Sequence, residues 1–154
     1  VKLPQAIPGV NCAAVVLPKS RKGYHGAVRD CAQGSRSGNP NVPMSAIVDA
    51  VCSELGVRKQ AFESTSRRLP IVIAREMVAA LATELTRLSY PAIAMAMNRP
   101  NHSTVIDARE RWYARVERAE GGDLTAHIAA GSSVYEPQEL LEKIKAKLKR
   151  TVVA

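Results

Sequence analysis

Between residues 45 and 150, apolar side chains recur every three or four positions, the period of helices with one buried face. Ile47, Val48, Val51, Cys52 and Leu55 predict a first helix, with Ser45 as candidate cap and Gly56 at its end. A second helix follows Pro70: Ala74, Met77, Val78, Leu81, Leu85 and Leu88 form one stripe, with Arg75, Glu76, Glu84 and Arg87 mostly off it. Ser89 is placed to cap a short third helix, and Pro91 falls in its first turn, where the missing N–H is not needed. Ile93 and Met97 give that helix its inner side. A tight turn, NRPN, comes next. Asn101 or Ser103 can cap the following helix, whose inner face is Val105, Ala108, Trp112 and Val116 and whose end is near Gly121 and Gly122. On that face Trp112 reads as core. A last helix opens at Glu136 and Pro137, with Leu140, Leu141, Ile144 and Leu148 on one side. Its acids precede its bases, an order that complements the helix dipole without any external partner.

A long helix, a short helix, a proline-containing turn and another helix make the helix-turn-helix layout, although two packed helices and a turn also occur in ordinary helical domains. The chain divides into three segments. Residues 1–42 are an arm with Pro4, Pro8, Pro18 and Pro40, expected to be flexible and partly disordered. Its VNCAAVVL stretch (10–17) fits a short strand or a local helix, and GSRSGNPNVP (34–43) reads as a linker. Residues 43–120 form the helix-turn-helix domain. Residues 121–154 are a linker and an amphipathic helix, which either packs on its own domain or serves to dimerise or dock on a partner.

Composition agrees with an all-α fold: 46% of the 154 residues are hydrophobic but only 4% are aromatic, and the apolar set is rich in Ala and Leu. Charge changes the picture more. Lys and Arg number 22 against 14 Asp and Glu, a net charge of +8, which makes a polyanion the first partner to consider. Lys2, Lys19, Arg21, Lys22, Arg29 and Arg36 stand against Asp30 alone in the arm, so the excess is densest there.

Several classes are not expected. No apolar run approaches the eighteen or so residues of a membrane span, and Pro8, Gly9 and Asn11 interrupt what would be a secretory leader. Three sparse cysteines suit reduced thiols in a cytoplasmic protein. Cys12, His25 and Cys31 could supply three soft ligands to a metal, but they have no paired C-x-x-C spacing and no evident fourth ligand; reduced cysteines and a surface histidine are the simpler reading, so no metal or other cofactor is expected. No enzymatic activity is expected either. The chain has no G-x-x-x-x-G-K-[ST] phosphate loop, and His102 beside Ser103 implies no third member of a triad.

The candidate chemistry lies in RPNHSTV (99–105). A recognition helix meets the major groove with its N-terminal residues, and His, Ser and Thr are short polar groups able to reach base edges or the thymine methyl. Free N–H groups at the same helix start favour phosphate. Capping by Ser103 and Thr104, with His102 a solvated surface residue, explains the same letters equally well.

The sequence SRRLPIVIAREMVAALATELTRLSYPAIAMAMNRPNHSTVIDA (66–108) resembles the C-terminal DNA-binding domain of the bacterial replication initiator DnaA. That family carries a basic loop, an A-R-x-x-A/V-M-x-L-x-x-E-L-T helix, S-x-x-x-I-G, and a D-H-[ST]-T-V-x-x-A signature. The corresponding residues here are Ala74 and Arg75, Leu81, Glu84 to Thr86, Ser89 and Ile93, and Asn101 to Val105 with Ala108. Backward, SAIVDAVCSELGVRKQAFES (45–64) resembles the family's preceding helices, so the resemblance covers about residues 44–118.

The resemblance implies a Trp-repressor-like helix-turn-helix fold and sequence-specific binding of double-stranded DNA at initiator-type boxes, in replication initiation or its regulation. By position, Arg67 matches an arginine that enters the minor groove, with Arg68 beside it; Arg75 matches a contact to the DNA backbone. His102 and Ser103 match readers of bases in the major groove, and Thr104 a further contact. The family's functions leave open a transcription regulator or a competitor of the host initiator, with host replication proteins as further partners. Without a phosphate loop the chain is expected to be the DNA-binding module alone. Three departures bear on this. Asn101 replaces the acid that opens the signature, and Asn donates as well as accepts, so base preference can shift. Glu76 stands where many members have Gln, and an acid near phosphate would weaken binding. Ala94 replaces a glycine, which alters close packing.

Overall fold

The computed structural model describes residues 42–153. Apart from Val42, which is buried in the core, the arm, its basic residues, the 10–17 stretch and the Cys12, His25 and Cys31 candidate lie outside the described residues. The described part is an all-α bundle with one small hairpin: α1 (Met44–Leu55), α2 (Lys59–Glu63), α3 (Leu69–Leu85), α4 (Tyr90–Ala96), α5 (Ser103–Glu120), a 3-10 turn (Leu124–Ala126), β1 (Ile128–Ala130), β2 (Ser133–Tyr135) and α6 (Pro137–Val153).

Local signals account for most boundaries. Gly56 takes a left-handed φ of 64° after α1, and the Val57 N–H closes the end by donating to the Cys52 carbonyl at 2.9 Å. Pro43, not Ser45, occupies the cap position of α1; Ser45 lies inside the first turn and caps nothing. The Ser89 side chain does accept from the Ala92 N–H, opening α4 as expected. Burial, with Asp49 nearby, pushes the pKa of the Cys52 thiol up, consistent with a neutral core residue.

The central helix departs from the one-stripe expectation. Ile73, Ala74 and Glu76 through Ala82 are all buried, so α3 has no solvent face over two turns. It packs against α5 and α1, with α4 and α6 also in contact. Alanines at 74, 79, 80 and 82 let neighbouring helices approach closely. Leu88, expected on the stripe, lies beyond the helix end at Leu85 and is partly exposed. Ala94, where the resemblance has glycine, is buried in α4, and Trp112 is completely buried.

Past Gly122 the chain is ordered structure, not a plain linker. β1 and β2 pair antiparallel with Ile128 opposite Tyr135 and Ala130 opposite Ser133, joined through Gly131 at φ 65°, the left-handed residue such a two-residue loop needs. Leu140, Leu141, Ile144 and Leu148 of α6 belong to the same core as α1, α3 and α5. Three of its lysines form ion pairs with neighbouring helices. Lys143 and Lys147 pair with Glu54 of α1, and Lys145 pairs with Glu84 of α3 at 2.6 Å. Among the described residues, no helix is long and apolar enough to cross a membrane.

Because Ile144 is fully buried, Ile144→Ala is expected to lower unfolding free energy by about 2–5 kcal/mol in urea titration. A loss below about 0.5 kcal/mol, the range of ordinary surface changes, would mean that α6 is not part of this core.

Candidate nucleic-acid interface

Two short segments carry the site residues named from sequence, apart from Arg75 on α3. The first is the loop Ser64–Arg68 between α2 and α3. It is ordered by its own serines: Ser64 Oγ donates to the Ala61 carbonyl at 2.6 Å, the Ser66 N–H donates to Ser64 Oγ at 3.2 Å, and the Arg68 N–H donates to Ser66 Oγ at 3.5 Å. Arg67 and Arg68 emerge exposed at the end of this chain of turns, and Arg68 is the residue from which α3 starts.

Arg75 supports the loop from beneath. Its Nε donates to the Phe62 carbonyl at 3.0 Å and its Nη1 to the Ser66 carbonyl at 2.6 Å, while Nη2 reaches the carbonyls of Ala61, Phe62 and Ser64. Burial, then the neighbouring Arg99 guanidinium, pull its pKa down from the ordinary value. The five-residue α2 ends in carbonyls with no helical partner, and a guanidinium fork suits them. Arg75 therefore faces the loop's backbone with the donors that a phosphate would otherwise use.

The second segment is the turn into α5. α4 closes through Asn98 at φ 54°, a left-handed position that Asn tolerates, and the Arg99 N–H donates to the Ala94 carbonyl at 2.8 Å. Asn101, His102, Ser103 and Thr104 then lie exposed, while Val105 anchors the helix in the core. His102 occupies the cap position and no side chain caps α5, so neither Asn101 nor Ser103 performs that role. The N-terminal turn of an eighteen-residue helix is thus presented to solvent with four polar side chains around it.

Glu76 was expected near phosphate, and the structure corrects this. The next position along a helix is rotated by about 100°, so Arg75 faces the loop while Glu76 faces α5. Glu76 is only 4% exposed and its Oε2 accepts from Arg115 Nη2 at 3.2 Å and Nε at 3.3 Å. Its charge is matched inside the fold. Sequence reading also missed Arg99, whose Nη2 donates to the Phe62 carbonyl at 3.2 Å and the Ser64 carbonyl at 2.6 Å. A cation directly after a turn asparagine was the available signal, but its partners lie 35 and 37 positions away.

Residues 44–111 match the family described as the bacterial dnaA protein helix-turn-helix. This segment is homologous to the helix-turn-helix of DnaA. The chain is 33% identical over 99 residues to the chromosomal replication initiator protein DnaA of Sphingopyxis alaskensis, covering 64% of this chain and 21% of that protein. It is 40% identical over 100 residues to the DnaA of Oleidesulfovibrio alaskensis, covering 65% and 20% respectively. With the DnaA of Gloeobacter violaceus it shares 38% identity over 66 residues, 43% of this chain and 15% of that protein. The chain thus spans about a fifth or less of the length of these relatives. The exposed turn and the first half of α5 fall inside the DnaA-like stretch. Among the described residues, no group of three or more His, Cys, Asp or Glu side chains is placed to hold a metal ion.

Replacing Glu76 with Gln removes the charge that matches Arg115, so Glu76→Gln is expected to lower unfolding free energy by about 1–3 kcal/mol. Unchanged stability in thermal and urea unfolding would contradict the inward placement of this carboxylate.

Proposed function

We propose that this domain binds double-stranded DNA sequence-specifically, at boxes of the replication-initiator type, as a Trp-repressor-like helix-turn-helix with a role in replication initiation or its regulation. The observation that carries the reading is the uncapped, exposed start of α5, with Asn101, His102, Ser103 and Thr104 around it, inside the DnaA-like segment. It is a binding reading: the domain reads DNA and catalyses nothing.

His102 and Ser103 read base edges in the major groove, and Thr104 adds a contact from the same turn. Asn101 offers both a donor and an acceptor, so the base it meets differs from one chosen by an acid. The open N–H groups of the helix start favour an adjacent phosphate. Arg67 enters the minor groove from the basic loop, and Arg68 holds the backbone beside it. Arg75 acts on DNA chiefly through the loop that it props, because its donors are engaged with carbonyls. Glu76, paired with Arg115, has no repulsive part in this interface.

Fluorescence anisotropy with a duplex bearing a DnaA-type box and a duplex of the same bases shuffled tests the proposal. The box is expected to bind about a hundredfold or more tightly at near-physiological salt. His102→Ala is expected to narrow that ratio by about tenfold. Arg68→Ala is expected to weaken both duplexes alike and to reduce the salt slope by about one. Equal affinity of the native protein for the two duplexes would defeat sequence-specific reading, and full discrimination by His102→Ala would defeat the assignment of the reading turn.

A further inference from the structure

Arg99 sits in the turn of the helix-turn-helix, yet its guanidinium points back across the domain to the segment that ends α2. Its Nη2 bridges the Phe62 and Ser64 carbonyls, two of the acceptors that Arg75 also uses. Two like charges converge there, each disfavouring the other. The arrangement is held by what surrounds it: carbonyls at the end of a short helix and in the following loop, which present negative potential and have few other partners. The backbone of Arg99 is fixed at the other end by its N–H on the Ala94 carbonyl. Its neighbour Asn98 makes a second crossing, with Nδ2 donating to the Glu63 carbonyl at 3.5 Å. Turn and loop, more than thirty residues apart in sequence, are therefore tied by consecutive residues.

We infer that Arg99 is a positioning residue for DNA binding: by bridging the Phe62 and Ser64 carbonyls beside Arg75, it fixes the loop bearing Arg67 and Arg68 relative to the turn that presents Asn101 to Thr104. This rests on the DNA-binding reading above. A duplex offers its minor groove and the neighbouring major groove at a set separation. A loop held at that spacing before binding loses less freedom on contact than one that must be ordered by the DNA.

A double-mutant cycle between Arg99→Met and Arg67→Ala, read by anisotropy on the box duplex, tests the inference. Methionine keeps an unbranched apolar stem while removing the donors. Each single variant is expected to weaken box binding about tenfold. If Arg99 acts through the loop, the double variant falls below Arg67→Ala by less than threefold. Multiplied losses near a hundredfold, with the salt slope lowered by one for Arg99→Met, would make Arg99 an independent phosphate contact and overturn the inference.

Amide hydrogen exchange supplies a readout that needs no DNA. In Arg99→Met, the Ser64 and Ser66 amides are expected to exchange at least fivefold faster, with those of Met77 to Leu81 unchanged. Unaltered exchange at Ser64 and Ser66 overturns the inference whatever the DNA result. A native protein that binds neither duplex instead defeats the DNA-binding reading, and exchange alone then decides whether Arg99 holds the loop.

Discussion

A helix surrounded on every side must satisfy different neighbours with successive residues, and α3 is such a helix. Its alanines bring α1 and α5 close, and its apolar residues from Ile73 to Leu81 fill the space between them. Two charged residues in this stretch then have fixed tasks. Arg75 reaches the carbonyls that shape the basic loop, and Glu76 meets Arg115 on α5. The loop is thus held from one side of α3 and the recognition-type helix from another. Any displacement of α3 would move both parts of the candidate interface.

The C-terminal helix extends the same logic. Its leucines and Ile144 close the core over α1, and Lys143, Lys145 and Lys147 pair with Glu54 and Glu84. These pairs to neighbouring helices add to the dipole complement that the acid-before-base order supplies. In the proposed interface, Arg67 and Arg68 bring positive charge to the duplex and the polar groups at the start of α5 supply selectivity. This division follows the general one in which phosphate contacts position a protein and base contacts specify its site.

What could be read from sequence was what local chemistry decides. Ser89 and Pro91 mark the start of α4, Gly56 and the Gly121–Gly122 pair mark helix ends, and Trp112 fell in the core because its spacing matched Val105, Ala108 and Val116. The features that escaped depend on distant partners. The full enclosure of α3 could not be read from one apolar stripe, because alanine off the stripe is as compatible with solvent as with a close helix. Glu76 looked like a hazard to phosphate because its partner Arg115 is 39 positions away. The hairpin was missed because each strand has three residues, too few for an alternating pattern. Arg99 was passed over because a charged turn residue ordinarily faces water.

In the proposed complex, two separated segments form one surface for a single duplex. Titrating the isotope-labelled protein with the box duplex, and following every backbone amide by NMR, tests it most directly. The amides of Arg67 and Arg68 are predicted to shift together with those of Asn101 to Thr104, along one saturation curve, while those of α6 move little. Largest shifts along Pro137–Val153, or a response at Asn101 to Thr104 with none at Arg67 and Arg68, would contradict the account.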